Sequence, residues 1–163
     1  MMRRTLLDFF ADVTSGDAKN AQFLAYDDGY RAWAWTYGEL AAASGAFAAR
    51  LRAHGITRGN AIAIWSENRP EWIAAMWGAL LEGVVVVPID YRASADFLLK
   101  VAGIVDAKAI VVGDAVDVSH LGAGREIWHL PQIFRGKPEA PAEEDIFRLK
   151  AEATTPLTSG FRL

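Results

Sequence analysis

The sequence predicts an α/β fold in which an open, largely parallel sheet carries helices on both faces and follows an N-terminal β-hairpin. Three short apolar runs, at residues 61–66, 84–87 and 109–112, lack the alternation of polar and apolar residues. Such runs are typical of parallel strands that are covered on both faces. Stretches with helical periodicity separate the runs, and strand–helix–strand connections of this length form right-handed crossovers within one sheet.

The hairpin is predicted from its turn. Residues 22–26 and 30–36 flank Asp27-Asp28-Gly29, and Asp-Gly is a strong turn signal because glycine tolerates a positive φ. Before the hairpin, the apolar stretch of residues 1–10 is short and contains Asp8. We therefore expect a short amphipathic helix at the N-terminus and not a signal peptide.

The first long helix is predicted to begin at Thr36. Thr36 and Glu39 have the spacing of a capping box, in which each side chain binds the other residue's free amide. Gly55 is predicted to end the helix. The residues that follow the cap at helical spacing are Leu40, Ala43, Phe47, Leu51 and His54.

Two further helices are predicted between the strands. Pro70 suits the first turn of one helix, where a missing amide costs nothing, and Gly83 closes it. Ser94 is predicted to start the other. Residues 125–130 are expected to form a last strand before Pro131. The side chains expected to face inward are Trp72, Ile73, Met76, Leu80 and Leu81 in the first helix and Phe97, Leu98, Val101 and Ile104 in the second.

The composition is that of a globular protein. The chain has 163 residues, 52% of them hydrophobic, a net charge of −3 and no cysteine. The well-mixed charges argue against a nucleic-acid partner, which needs a clustered basic face. The longest apolar run, residues 73–87, contains Glu82 and is too short to span a bilayer. We expect a cytoplasmic protein with one α/β domain at 1–134 and a linker and poorly structured tail at 135–163.

Two motifs carry a resemblance to a known family. Trp35-Thr-Tyr-Gly-Glu-Leu40 starts the first long helix, and Leu80-Leu-Glu-Gly-Val-Val-Val-Val-Pro-Ile-Asp90 follows about forty positions later. Segments 51–60, 68–83 and 106–112 complete the pattern. In this order and spacing they resemble the N-terminal region of the AMP-forming adenylate-forming superfamily, the AMP-dependent synthetases and ligases that include acyl-CoA synthetases. The similarity covers roughly residues 20–115.

The resemblance implies part of the large N-terminal domain of an acyl-CoA synthetase. Complete members of the family join a carboxylate to AMP using Mg·ATP and then pass the acyl group to coenzyme A. Their phosphate loop reads Thr/Ser-Ser-Gly-Thr-Thr-Gly. Here Thr158-Ser159-Gly160 matches its first three positions, by chance or as a vestige, before Phe161-Arg-Leu163. We therefore expect a chain that stops before the phosphate loop, holds no cofactor of its own and is catalytically inactive.

Other candidate site residues have more ordinary explanations. Glu67 and Asp90 follow strand ends, where open α/β sheets bind ligands, yet capping or loop hydrogen bonding is the favoured role for both. Gly122-Ala-Gly124 and Gly136-Lys137 lack the remaining residues of nucleotide loops. The three histidines, His54, His120 and His129, do not have metal-ligand spacing. No residue is assigned a catalytic, cofactor-binding or metal-binding role.

The expected function is that of an inactive scaffold from a synthetase of fatty acid or related metabolism. One alternative is an interaction module that binds itself or the rest of a synthetase. A weaker alternative is a module that binds a nucleotide or acyl-CoA. If a packing partner were missing, part of the tryptophan cluster would be exposed, which favours a homo-oligomer. The cluster comprises Trp33, Trp35, Trp65, Trp72, Trp77 and Trp128.

Overall fold

The computed structural model describes residues 5–27, 29, 32–122 and 125–134, with the backbone alone at positions 32 and 33. A four-stranded parallel sheet of order β4-β3-β5-β6 lies between helices, and β1 and β2 form a separate antiparallel hairpin. This is the predicted fold class. The strands are β1 Gln22–Asp27, β2 Ala32–Thr36, β3 Ala61–Ser66, β4 Val85–Asp90, β5 Ala107–Val112 and β6 Glu126–His129. The helices are α1 Leu6–Thr14, α2 Tyr37–Ala53, α3 Pro70–Leu81, α4 Ala95–Ile104 and α5 Leu130–Ile133, with a 3₁₀ turn at Gly16–Asn20.

The predicted caps and turns are confirmed. Thr36 and Glu39 form the capping box of α2, and a second box at Thr5 and Asp8 starts α1. Gly29 turns the hairpin with a φ of +87°, and its amide binds the Asp27 carboxylate. Local hydrogen bonding by short polar side chains thus sets where these elements begin and turn.

One face of the sheet is covered by α2 and α3. Ile62, Ile64 and Val111 of the strands pack against Phe47 and Leu51 of α2, and all five are buried. The two helices cross closely at Gly78, where an added Cβ would lie 2.5 Å from the Ser44 carbonyl oxygen and 2.9 Å from the Phe47 Cβ. Helix α1 adds an outer layer, in which Phe10 stacks on Trp77.

Among the described residues, α4 and the loop after β5 cover the opposite face. Leu98 and Ala102 are fully buried against Trp65 and Ile110 of the strands. The prediction that Phe97 and Ile104 face inward is wrong, since they are 52% and 75% exposed. The apolar residues of α4 surround the helix, and the sheet can bury only the side that carries Leu98 and Ala102.

Strand β4 continues past its predicted end at residue 87. It includes Pro88 and ends at Asp90. The amide of Val85 donates a hydrogen bond to the Asn60 carbonyl oxygen, on the β3 side of the strand. Because backbone amides alternate in direction along a strand, the nitrogen of Pro88 points to the open side of β4, away from β3. A residue there needs no N–H donor on an edge strand, so the proline is tolerated.

The described tryptophans lie mainly in the core. Trp65, Trp77 and Trp128 are buried, and Trp35 and Trp72 are partly buried. The exposed large apolar side chains are instead Leu6, Phe9, Val85, Tyr91, Phe97 and Ile104. The tryptophans whose side chains the structure describes therefore do not form the exposed apolar surface that the sequence led us to expect.

Two sets of predictions cannot be compared with the structure. The linker and tail at residues 135–163, which include Thr158-Ser159-Gly160, lie outside the described residues. So do most of the Gly122-Ala-Gly124 loop and all of Gly136-Lys137. Within the described residues, no helix combines the length and the apolar character needed to cross a membrane.

Candidate functional site at the carboxyl edge of the sheet

Strands β3 and β4 end side by side at the carboxyl edge of the sheet. Ser66 pairs with Asp90 in the parallel register, and Glu67 follows Ser66 directly. The structure therefore brings the two carboxylates predicted as candidates to the same edge. Strand β5 ends beside them, where the amide of Gly113 bonds to the carbonyl of Trp65.

Glu67 fastens the ends of β3 and β5 together. Its carboxylate accepts hydrogen bonds from the backbone amides of Asp114, at 3.2 Å, and Ala115, at 3.3 Å. Gly113 makes room for it, since a Cβ there would lie 2.0 Å from Glu67 Oε2. Glu67 thus performs the loop hydrogen bonding that the sequence favoured.

Arg69 lies at the centre of an ion-pair network. Its Nη1 contacts Glu67 Oε1 at 2.9 Å and Asp114 Oδ2 at 3.0 Å, and its Nε contacts Glu71 Oε2 at 2.9 Å. Its side chain is only 12% exposed. This network was not predicted from the sequence. The alternation of opposite charges at 67, 69 and 71 was the available signal, whereas Asp114 lies 45 positions from Arg69.

The network shifts the pKa values of Glu67 and Arg69. Partial burial by itself raises the pKa of Glu67, but the amide hydrogen bonds and Arg69 more than offset it, so the pKa is lowered from its ordinary value. For Arg69, desolvation opposes the charged form, but the carboxylates of Glu71, Asp114 and Glu67 outweigh it and raise the pKa. Glu67 and Arg69 are therefore both charged at neutral pH.

Asp90 forms a separate pair with Arg92. Arg92 Nη2 lies 2.9 Å from Asp90 Oδ2, and the Arg92 amide also donates to the carboxylate. These bonds lower the pKa of Asp90 to about 2. Both side chains are more than half exposed, so this pair contributes little to the stability of the fold.

Two cavities open at this edge on either side of Trp72. The first, of about 350 Å³, lies between the hairpin and the start of α3. The second, of about 250 Å³, lies over the ends of β3 and β4. Leu24, Tyr26, Asn68, Arg69, Pro70, Trp72 and Ile73 line the first. Ser66, Asn68, Trp72, Pro88, Ile89, Asp90, Tyr91 and Arg92 line the second.

The charged groups of the edge are bound to one another or to backbone amides. The histidines are dispersed, with His54 at the end of α2, His120 in a loop and His129 at the end of β6. No group of three or more metal-ligating side chains occurs among the described residues.

Comparison with known proteins places this chain among ligases. Residues 14–157 match the AMP-binding enzyme family. A 3-hydroxybenzoate–CoA/4-hydroxybenzoate–CoA ligase from Thauera aromatica is 32% identical over 66% of this chain and 18% of its own length. An L-proline–[L-prolyl-carrier protein] ligase from Streptomyces coelicolor is 42% identical over 34% of this chain and 10% of its own length. The chain thus spans less than a fifth of these relatives.

Solved structures have the same fold. VinN in complex with 3-methylaspartate superimposes with a TM-score of 0.69 and 25% identity, over 92% of this chain and 38% of that one. The Bacillus subtilis O-succinylbenzoate coenzyme A synthetase MenE, in complex with ATP and magnesium ion, gives a TM-score of 0.67 at 22% identity, over 84% of this chain and 35% of that one. By its family match and its fold, the chain belongs to the AMP-binding enzyme family and corresponds to an N-terminal region of its ligases.

Proposed function

We propose that these 163 residues are the N-terminal scaffold of an adenylate-forming ligase and do not form an acyl-adenylate by themselves. One observation carries the proposal. At the carboxyl edge, Glu67 and Arg69 are held by Asp114, Glu71 and backbone amides. Transition-state stabilisation requires charged groups aimed at the reacting atoms, whereas these groups hold the ends of the strands in place. Such a scaffold shapes one wall of a site whose ATP, magnesium and coenzyme A ligands lie in other residues.

The substrate is proposed to be a small carboxylic acid. The similar ligases are named for hydroxybenzoates and for L-proline, which favours aromatic and amino acids over the fatty acids that the sequence suggested. Their acceptors are coenzyme A in one case and a carrier protein in the other, so the proposal includes either acceptor. We also propose a cytoplasmic location, which cell fractionation tests.

A thermal-shift series tests the scaffold proposal. Ligand at a hundred times its dissociation constant stabilises a folded protein by about 2.7 kcal/mol. We expect no shift with millimolar Mg·ATP or coenzyme A for the 163-residue chain. A saturable shift with either ligand would instead support a nucleotide or acyl-CoA binding module.

A second candidate function is an interaction module, favoured by the exposed apolar residues on the α4 side of the sheet. Phe97 and Val85 are each 52% exposed, and Ile104 lies on the same helix as Phe97. Exposed apolar patches on a protein surface are typical of interaction sites. Gel filtration over a hundredfold range of concentration separates the two functions, because an interaction module that binds itself gives a concentration-dependent size.

A further inference from the structure

The cavity between the hairpin and the start of α3, which we call the hairpin cavity, has mainly apolar walls. Leu24 and Tyr26 of β1 form one wall, and Pro70, Trp72 and Ile73 of α3 form the other. Leu24, Tyr26, Trp72 and Ile73 are each only partly buried, so the hairpin does not close onto α3 along this line. Apolar walls that stand apart favour a ligand that fills the space between them.

The size and the walls of the hairpin cavity favour an aromatic ligand. Its volume of about 350 Å³ lies within the range of ligand pockets, roughly 300–1,000 Å³. An apolar cavity of about 150 Å³ can hold one benzene ring, so this cavity has room for two fused rings. Tyr26 and Trp72 offer aromatic rings on opposite walls, against which an aromatic ligand can stack or pack edge to face.

The charged groups of the hairpin cavity disfavour an acidic ligand. Arg69 is the one basic side chain among the described residues that line it. All three nitrogens of its guanidinium already contact carboxylate oxygens. Nε and Nη2 contact Glu71, and Nη1 contacts Glu67 and Asp114. A bound carboxylate would therefore find no free cation there and would lie near like charges, so the site is suited to a neutral molecule.

Asn68 adds a polar group to the hairpin cavity. It is exposed and also lines the second cavity, over the ends of β3 and β4. Its carboxamide can both donate and accept a hydrogen bond, which suits a hydroxyl or a ring N–H of a ligand. Trp72 likewise lines both cavities, so an occupant of the hairpin cavity touches two residues that also face the strand ends.

We propose that the hairpin cavity binds a neutral bicyclic aromatic molecule that carries one hydroxyl or ring N–H group. The rings lie between Tyr26 and Trp72, and the polar group bonds to Asn68. The site differs in ligand class from the acid substrate of the proposed ligase function, because its one lining cation is already paired. The proposal is independent of ligase activity, since it concerns only the contact between the hairpin and α3.

An NMR titration of the 163-residue chain with 2-naphthol and with 2-naphthoate at pH 7 tests the ligand class. The two probes share the fused rings and differ in whether they carry a neutral hydroxyl or a carboxylate. We expect 2-naphthol to bind with a dissociation constant on the order of 1 mM or tighter, and 2-naphthoate to bind about tenfold more weakly or not at all. Equal affinity for the two probes would overturn the proposal. So would a lack of binding by 2-naphthol, which would leave the cavity to another part of a longer ligase chain.

A matched pair of variants shows whether the hairpin cavity is the site. Leu24→Trp fills the cavity from β1 and should weaken the binding of 2-naphthol about tenfold or more. Ala25→Trp is the control, because successive side chains of a strand point to opposite faces and the exposed Ala25 does not line the cavity. The control should keep the wild-type affinity. Circular dichroism verifies that both variants fold, and a folded Leu24→Trp variant with unchanged affinity would contradict the proposal.

Methyl signals of the wild-type chain locate the bound probe without any substitution. Leu24 and Ile73 line the hairpin cavity, whereas Ile89 lines the second cavity. We expect 2-naphthol to shift the methyl signals of Leu24 and Ile73 and to leave those of Ile89 nearly unchanged. If the largest shift occurred at Ile89, the ligand would lie over the strand ends and the assignment to the hairpin cavity would be wrong.

Discussion

The two faces of the parallel sheet are packed to different depths. One face carries α2 and α3, with α1 as a further layer outside them. On the other, α4 is the one helix among the described residues, with Leu121 of the loop after β5 beside it, and Phe97 and Ile104 of that helix remain exposed. The central strand β3 is buried on both faces, whereas the edge strand β4 is partly exposed. The first face is therefore a complete core, whereas the second is complete only where α4 touches the sheet.

The largest effect is expected on the buried side of α4. Replacement Leu98→Ala removes a fully buried side chain and should lower the free energy of unfolding by about 2–5 kcal/mol. The adjacent Phe97→Ala removes a larger but half-exposed side chain and should cost less than about 1 kcal/mol. Urea unfolding of both variants measures the difference. Equal losses would contradict the one-sided packing of α4.

A smaller effect is expected where α2 and α3 cross. An added Cβ at Gly78 meets backbone and Cβ atoms of α2 that cannot move independently, so Gly78→Ala should cost about 1–3 kcal/mol. Gly45→Ala, in α2, is the matched control, because nothing lies within 4 Å of its added Cβ. That variant should be stabilised by up to about 1 kcal/mol through helix propensity. If Gly78→Ala left the free energy of unfolding unchanged, α2 and α3 would be packed less closely at this crossing than the structure shows.

The next effect concerns the ion-pair network at the carboxyl edge. Glu67→Gln should cost about 1–2 kcal/mol at pH 7, because Arg69 and two amides lose a charged acceptor. Asp90→Asn, in the exposed pair with Arg92, should change stability little. Thermal unfolding at pH 7 compares the two variants.

The pH dependence of Glu67 has a definite sign. Its pKa in the folded protein is lowered from the ordinary value of 4.5, so its stabilising contribution is present above that value and is lost as the pH falls below it. The stability difference between the wild type and Glu67→Gln should therefore shrink as the pH is lowered from 4.5. A difference that stays constant down to pH 2 would mean that the charge of Glu67 is not what stabilises the edge.

The smallest effect on stability, with a large effect on association, is expected at the outer side of α4. The double variant Phe97→Ser and Ile104→Ser removes exposed apolar groups, and we expect its free energy of unfolding to be nearly unchanged. If this side is an interaction surface, sedimentation velocity should show a mass that rises with concentration for the wild type and stays monomeric for the variant. A wild type that is monomeric at high concentration would rule out self-association through this surface.

Much of the fold could be predicted because its signals are local. The Thr36–Glu39 capping box, the Asp27–Gly29 turn and Pro70 at the start of α3 each depend on residues within four positions. The end of β4 was harder to predict from the sequence. Whether a strand tolerates Pro88 depends on the direction in which the backbone nitrogen of that position points in the sheet. The prediction of which side of α4 is buried was wrong for a related reason, since apolar residues on all sides of a helix do not specify the buried side.

The candidate site was predictable only in part. The positions of Glu67 and Asp90 after strands pointed to the carboxyl edge, and the parallel register confirms that they share it. Arg69 and Asp114 were missed because their contact joins residues 45 positions apart. The space for Glu67 at Gly113 likewise arises only when β3 and β5 pair.

ATP–pyrophosphate exchange by the purified 163-residue chain tests the central claim, that this region is a scaffold, most directly. The acids should include 3- and 4-hydroxybenzoate, L-proline, L-aspartate and a series of fatty acids, with the Thauera aromatica ligase as the positive control. We predict exchange no faster than in the blank without acid, while the control ligase is active. Acid-dependent exchange by the chain itself would contradict the account and show that these residues assemble an adenylating site.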